Sequence, residues 1–264
     1  MRAAFAQRLC DLVTFATDRP NAVEEVKLTC STDSGVSNQH RLLYDRIFKS
    51  KGEPDRLFER DMLFSLGEAL DAGLNIFQKW IDFTKTHGAF CTVYFGSMYA
   101  EPRYLGEKFQ RLMSAFMLLS ASISEPMPET VQFAEDVRKA IFAHFTSEER
   151  ELLAHVFPSP AHAQMTLIMR KLLEENRGLM CPVVEDFDDF VKAASNTLRY
   201  FETREELSER LHLGGAKMYY AMQRIRLLIK ILVLRQLGFD DRRVTSLIER
   251  NSDFVHLVAL REKG

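Results

Sequence analysis

Lys217, Tyr220 and Arg224 are the residues whose types and spacing are best suited to act together. On an α-helix, at 100° per residue, these three fall on one side, and Met218, Ala221, Met222, Ile225 and Ile229 fall on another. That division turns two cations and an aromatic ring toward a ligand and an apolar back toward a core. A lysine, an arginine and a tyrosine so placed can hold phosphate oxygens and reach base edges. Arg210 and Arg226 are near enough in sequence to add phosphate contacts. Residues 203–264 hold twelve Lys and Arg against eight Asp and Glu, a net of +4, whereas residues 1–202 hold 23 against 29, a net of −6. No acidic residue occurs between Arg210 and Phe239. The whole chain carries a formal charge of −2, which excludes indiscriminate polyanion binding and makes any nucleic-acid site a local one.

The surrounding sequence orders itself as helix, tight turn, helix. Thr203-Arg204-Glu205-Glu206 is a capping box, in which the threonine hydroxyl and Glu206 satisfy backbone amides reciprocally. Ser208 and Leu211 follow on one face, then the turn His212-Leu213-Gly214-Gly215 and the helix bearing Lys217. Over residues 203–226 this resembles the helix-turn-helix of DNA-binding proteins. Ser208 matches the small position of the first helix and Leu213 the buried turn residue. Met218, Met222 and Ile225 match the core side of the second helix. The resemblance implies that Lys217, Tyr220 and Arg224 face DNA, with Arg210 and Arg226 on phosphates. The sequence departs from the motif at the turn, where His212 stands in the place of glycine and the glycines follow at 214 and 215. Two amphipathic helices joined by a glycine turn are also ordinary helical packing, and residues 227–234 (LLIKILVL) are apolar enough to continue into a core.

Other chemistries find little support. The seven histidines form no His-Glu-x-x-His pair, and two prolines separate His155 from His162. The acidic run Glu185, Asp186, Asp188 and Asp189 could hold Mg²⁺, but it reads first as negative charge at a helix start, where the macrodipole favours it. Neither a Gly-x-Ser-x-Gly elbow, a phosphate-binding glycine loop nor a dinucleotide fingerprint occurs. The expectation is a non-enzymatic protein without cofactor or metal. Cys10, Cys30, Cys91 and Cys181 are far apart and read as free thiols of a reducing compartment. The N-terminus is interrupted by Gln7, Arg8 and Asp11, unlike a signal peptide, and no run approaches the roughly 20 apolar residues of a membrane span. An intracellular protein, cytoplasmic or nuclear, is therefore expected.

The elements that must position these residues are helical. With 46% hydrophobic residues and 20 Phe the chain can bury a sizeable core, and its apolar spacing is that of helices, not of alternating strands. The expectation is an all-α bundle of roughly ten helices, in an N-terminal portion 1–125 and a C-terminal portion 126–264 divided at Pro126 and Pro128. Phe5, Leu9, Leu12 and Val13 read as the core face of the first helix. Residues 29–38, rich in Ser, Thr, Asp and Gly, read as a loop. Ala72-Gly73 reads as a helix interruption, and residues 89–99 as helix or buried loop. Met113, Met117, Met165 and Met169, with Phe109 and Phe116, read as packing faces. The function these features favour is a non-enzymatic binding protein contacting DNA or RNA. The alternative is a structural or adaptor protein that assembles with itself or a protein partner through apolar helix faces.

Overall fold

A computed structural model describes residues 2–21, 26–31, 37–42, 62–100, 104–123, 160–203 and 212–261. The fold is all-α and multi-helical, and the described residues form eleven helices and one hairpin. The order is α1 (Arg2–Thr17), β1 (Val26–Ser31), β2 (Ser37–Leu42), α2 (Leu66–Asp71), α3 (Ile76–Thr86), α4 (Gly88–Tyr99) and α5 (Leu105–Ile123). It continues with α6 (Pro160–Glu175), α7 (Arg177–Met180), α8 (Phe187–Thr203), α9 (Gly215–Gln236), α10 (Asp241–Glu249) and α11 (Ser252–Arg261). The breaks expected at Pro126 and Pro128, and residues 204–211 with Ser208, Arg210 and Leu211, lie outside the described residues.

The paired strands correct the expected loop at residues 29–31 and 37–38; residues 32–36 lie outside the described residues. Antiparallel pairing joins Thr29 to Gln39, Cys30 to Asn38 and Ser31 to Ser37. The Ser- and Thr-rich composition suggested side chains competing with the backbone. Valine and threonine also favour extended backbone, and a partner strand a few residues on satisfies the ladder. Residues 89–99 resolve the other way: they lie within α4, which buries Phe90, Cys91, Tyr94 and Phe95.

The chain forms two compact units, one of residues 1–103 and 230–256, the other of residues 104–229 and 257–264. In the first unit Trp80 is fully buried. Its ring stacks on Phe15 and Phe83 and meets the edge of Phe95, and its indole N–H donates to the Arg8 carbonyl at 2.6 Å. The core stripe of α1 is Cys10, Leu12 and Phe15, whereas Phe5 and Val13 are 49% and 46% exposed. The amphipathic period was legible but its phase was not, because Asp11, Thr14 and Thr17 are buried beside the apolar residues. Helix α2 opens on a capping box between Ser65 and Glu68 and ends at Gly73, whose φ of +69° is the left-handed conformation that favours glycine. Asp240 caps α10, which buries Val244, Leu247 and Ile248.

Two cations of this unit are held in ion pairs. Lys230 is 1% exposed and its Nζ lies 2.5 Å from Asp18 and 2.8 Å from Asp253. Asp18 itself adopts a φ of +55° just after α1. Arg250 grips Glu68 with two nitrogens at 2.5 and 2.6 Å.

In the second unit α8 packs on α5 and α6. Phe109, Met113, Phe116, Met165 and Met169 are buried, as their spacing predicts. Gly106 permits the closest approach, since a Cβ there would come within 2.5 Å of the Phe201 ring. No described helix is long and apolar enough to cross a membrane.

Candidate nucleic-acid interface

The site is built by the start of α8 and the first half of α9, both in the second unit. Asp186 caps α8, its carboxylate accepting from the Asp189 amide at 2.9 Å, and Asp188 and Asp189 stand in the first turn where the dipole favours anions. Phe187, Val191, Ala194 and Leu198 form the buried stripe of this helix. Fully buried Thr197 accepts from the Leu213 amide at 2.9 Å and donates to the Ala193 carbonyl at 2.7 Å. His212 stacks on Tyr200 with ring centres 4.2 Å apart. These contacts pin the turn at 212–214 to α8. Gly215, at φ +47°, then opens α9 in a conformation that disfavours side chains.

A groove of about 710 Å³ results. Lys217, Tyr220 and Arg224 form one wall, and Glu185, Asp186 and Asp189 face them from the other. The two walls repeat at helical spacing: 217, 220, 221 and 224 on α9, and 186, 189, 190 and 193 on or just before α8. Arg224 is half-buried and its Nε donates to the Val183 carbonyl at 2.6 Å, while burial draws its pKa below the usual arginine value. That bond ties α9 to the segment preceding α8 and holds the guanidinium plane in place. Lys217 is exposed and has no ion pair among the described residues. Tyr220 meets Tyr219 edge-on at 5.4 Å, and Tyr219 is 45% exposed. The groove therefore offers cations for an anionic group, carboxylate acceptors for amino groups and an aromatic ring between them.

The residues singled out from sequence separate clearly. Lys217, Tyr220 and Arg224 come together in the groove; Arg226 is half-buried on the same helix but does not line it. Arg210 lies outside the described residues. The acidic run was weighed from sequence as a Mg²⁺ site or as helix-start charge, and not as a wall facing the basic residues. Glu185, Asp186 and Asp189 were legible as helix-start charge, and the spacing of 186, 189, 190 and 193 was the available signal that they share a face. Five more groups have no sequence signal: Asn176 Oδ1 and Gln223 Oε1 in this unit, and Arg235 Nε, Arg250 Nε and Asn251 Nδ2 in the other, are buried without a hydrogen-bond partner among the described residues. Among the described residues, no group of three or more His, Cys, Asp or Glu could hold a metal ion.

A family model described as ApeA N-terminal domain 1 matches residues 4–80, which fall in the first unit. No curated protein and no solved structure matches the chain.

Proposed function

We propose that this chain is an anti-phage defence protein that binds single-stranded nucleic acid in the groove between α8 and α9, as a binding component and not through a reaction in that groove. The match of residues 4–80 to the ApeA N-terminal domain supports the defence setting. The observation that carries the binding reading is the placement of Lys217, Tyr220 and Arg224 on one wall opposite Glu185, Asp186 and Asp189. Duplex DNA presents a dense double row of phosphates, and three carboxylates beside the cations would repel it. A single strand can splay a base out of the stack. Its ring can lie against Tyr220, its exocyclic amine can donate to a carboxylate, and its phosphate can meet Lys217. The groove thus fits an unstacked nucleotide better than a helix of DNA.

The test is fluorescence anisotropy with single-stranded RNA, single-stranded DNA and duplex DNA at two salt concentrations. Single strands should bind with a salt dependence of about 0.7 log units per phosphate contacted. Lys217→Glu should weaken binding about tenfold and flatten the salt dependence. Tyr220→Ala should weaken it by about 1–3 kcal/mol, the worth of one stacked base. In cells, the wild type should lower phage plating and Lys217→Glu should not. Unchanged affinity and salt slope in Lys217→Glu would remove the groove from the reading.

A second reading has its own observation. Leu66 and Leu70, one turn apart on α2, are 51% and 62% exposed, and Phe77 on α3 is 48% exposed. Such residues favour an adaptor that pairs with a second copy of itself. A scattering mass that rises with concentration in the wild type, and stays monomeric in Leu70→Glu, would support it.

A further inference from the structure

The first unit contains a second cavity, of about 380 Å³, between α1, α3 and α4. Its α4 wall is Gly88, Cys91, Phe95 and Gly96, spaced to share one helix face, and its α1 wall carries Arg8 and Asp11. Glycine inside a helix is unfavourable by about 1 kcal/mol relative to alanine, so its presence calls for a reason. Packing does not supply one at Gly96, because a Cβ there would meet nothing within 4 Å; Gly88, the first residue of α4, has the same open space beside it. Each glycine leaves open space on the cavity wall. Burial pushes the Cys91 thiol up to about 12, which keeps it a neutral, weakly polar part of that wall.

The two charges on the opposite wall are unusual together. Arg8 and Asp11 lie one turn apart on α1 and have opposite sign, yet they form no ion pair. The Arg8 side chain has no hydrogen bond or ion pair among the described residues. Asp11 is 8% exposed, and both of its hydrogen bonds, from Gln7 at 2.8 Å and Tyr99 at 2.6 Å, land on Oδ1. Its Oδ2 has no partner among the described residues. Tyr99 is held in turn by the Thr14 hydroxyl at 3.1 Å, so the carboxyl is oriented from two sides. A carboxylate in so buried a residue is stabilised by a cation that meets its open oxygen. A neighbouring unpaired guanidinium asks for an anion.

We propose that this cavity binds a small zwitterion with an apolar body, of the class of the apolar α-amino acids, with Arg8 taking its carboxylate, Asp11 Oδ2 its ammonium, and the Gly88–Phe95–Gly96 face its side chain. One ligand then satisfies both charges, and neither can be satisfied by a ligand of single sign without leaving the other open. The cavity lies within the size range of small-molecule sites, and its aromatic and small side chains suit an apolar body. The site is in a different unit from the nucleic-acid groove, so the two proposals stand or fall separately.

The experiment is calorimetric titration of the full chain with L-leucine, L-methionine and L-phenylalanine, alongside phenethylamine, which lacks the carboxylate, and 3-phenylpropionate, which lacks the ammonium. One-to-one saturable binding of at least one amino acid is expected, with both single-charge analogues weaker by about tenfold or more. Arg8→Gln should weaken the amino acid by a similar factor and remove the preference over phenethylamine. Gly96→Leu, which fills open space and not packed core, should abolish binding while circular dichroism and melting temperature stay close to the wild type. Lys217→Glu should leave amino-acid binding unchanged. Absence of saturable binding by all three amino acids, equal affinity for the analogues, or binding that survives Gly96→Leu would each overturn the proposal.

Discussion

Lys217 and Lys230 lie on the same helix, α9, and meet opposite fates. Lys217, near the N-terminus, is exposed and faces a groove whose far wall is acidic, with no counter-ion in contact among the described residues. Lys230 sits where every residue from 227 to 234 is buried, and its ammonium is held between Asp18 and Asp253. The difference separates two uses of one side chain. A buried charge with excellent partners is committed to structure, because removing it strands its partners in a medium of low polarity. A charge at a groove edge without partners contributes little to folding and is available to a ligand. The same contrast divides the first unit, where Arg250 is locked on Glu68 while Arg8 and Asp11 stand unpaired beside a cavity.

Breaking the structural half of the contrast should have the largest effect. Lys230→Met keeps the volume of the side chain and removes its charge, leaving Asp18 and Asp253 facing an apolar interior. The expected loss is about 3–5 kcal/mol, toward the lower end because Asp253 is one-third exposed, and chemical denaturation would measure it. Asp18→Asn sharpens the point. Asparagine tolerates the left-handed backbone that Asp18 adopts, so the variant removes charge without adding strain, and should lose about 1–3 kcal/mol. A loss below 1 kcal/mol in Lys230→Met would mean that the ion pairs are not what holds this end of α9.

Next in size are two carboxyls of the first unit whose environments act in opposite directions. Burial alone would raise Glu68, but the hydrogen bonds from Arg250 and Ser65 outweigh it and hold the carboxyl below its ordinary 4.5. A depressed carboxyl contributes stability above its unfolded pKa and loses it as pH falls through the folded value. Glu68→Gln should therefore be destabilising by about 1–3 kcal/mol at neutral pH, with the difference from wild type shrinking below pH 4.5. Asp11 is the reverse. Burial holds it above its ordinary 3.8 despite the bonds from Tyr99 and Gln7. Its protonated form is favoured by folding, so that contribution is complete below 3.8 and is lost as pH rises through the folded value. Asp11→Asn keeps the Oδ1 that accepts from Gln7 and Tyr99, so it should stay close to wild type in acid and exceed wild-type stability near neutrality, a smaller change of about 1 kcal/mol. Melting temperatures from pH 3 to 7 for both variants check the two signs together.

How much of this was legible in the sequence depends on the range of the interaction. Local signals were read directly: the interruption at Ala72-Gly73, the apolar run through Leu227 to Leu234, and the side-by-side placement of Lys217, Tyr220 and Arg224. Each is set within one or two helical turns. What was not legible joins residues far apart. Nothing near Lys230 predicts Asp18, 212 positions away, and nothing near Glu68 predicts Arg250. The phase of α1 was missed for the same reason, since Asp11 and Thr14 are buried by virtue of Tyr99, supplied from α4. The hairpin was missed because pairing between strands, not composition, decides whether a polar stretch is extended.

The smallest effect on folding is also the one that bears most on function. Lys217→Glu removes a cation that touches no anion among the described residues, so its stability change should stay within about 0.5 kcal/mol. If the groove binds a single strand, the same substitution adds a fourth carboxylate to Glu185, Asp186 and Asp189 and should weaken binding about tenfold, the ratio of the two effects being what marks a ligand-facing charge. Asp189→Asn separates the roles of the two walls. It removes an acidic neighbour of the phosphate path but keeps a hydrogen-bonding group for a base. Binding of homopolymers whose bases carry an exocyclic amine should hold or weaken slightly, while binding of those without one should strengthen by severalfold. Uniform strengthening for every base would make the acidic wall a brake on phosphate binding instead of a base reader, and would turn the proposed groove from a base pocket into an electrostatic path along the strand.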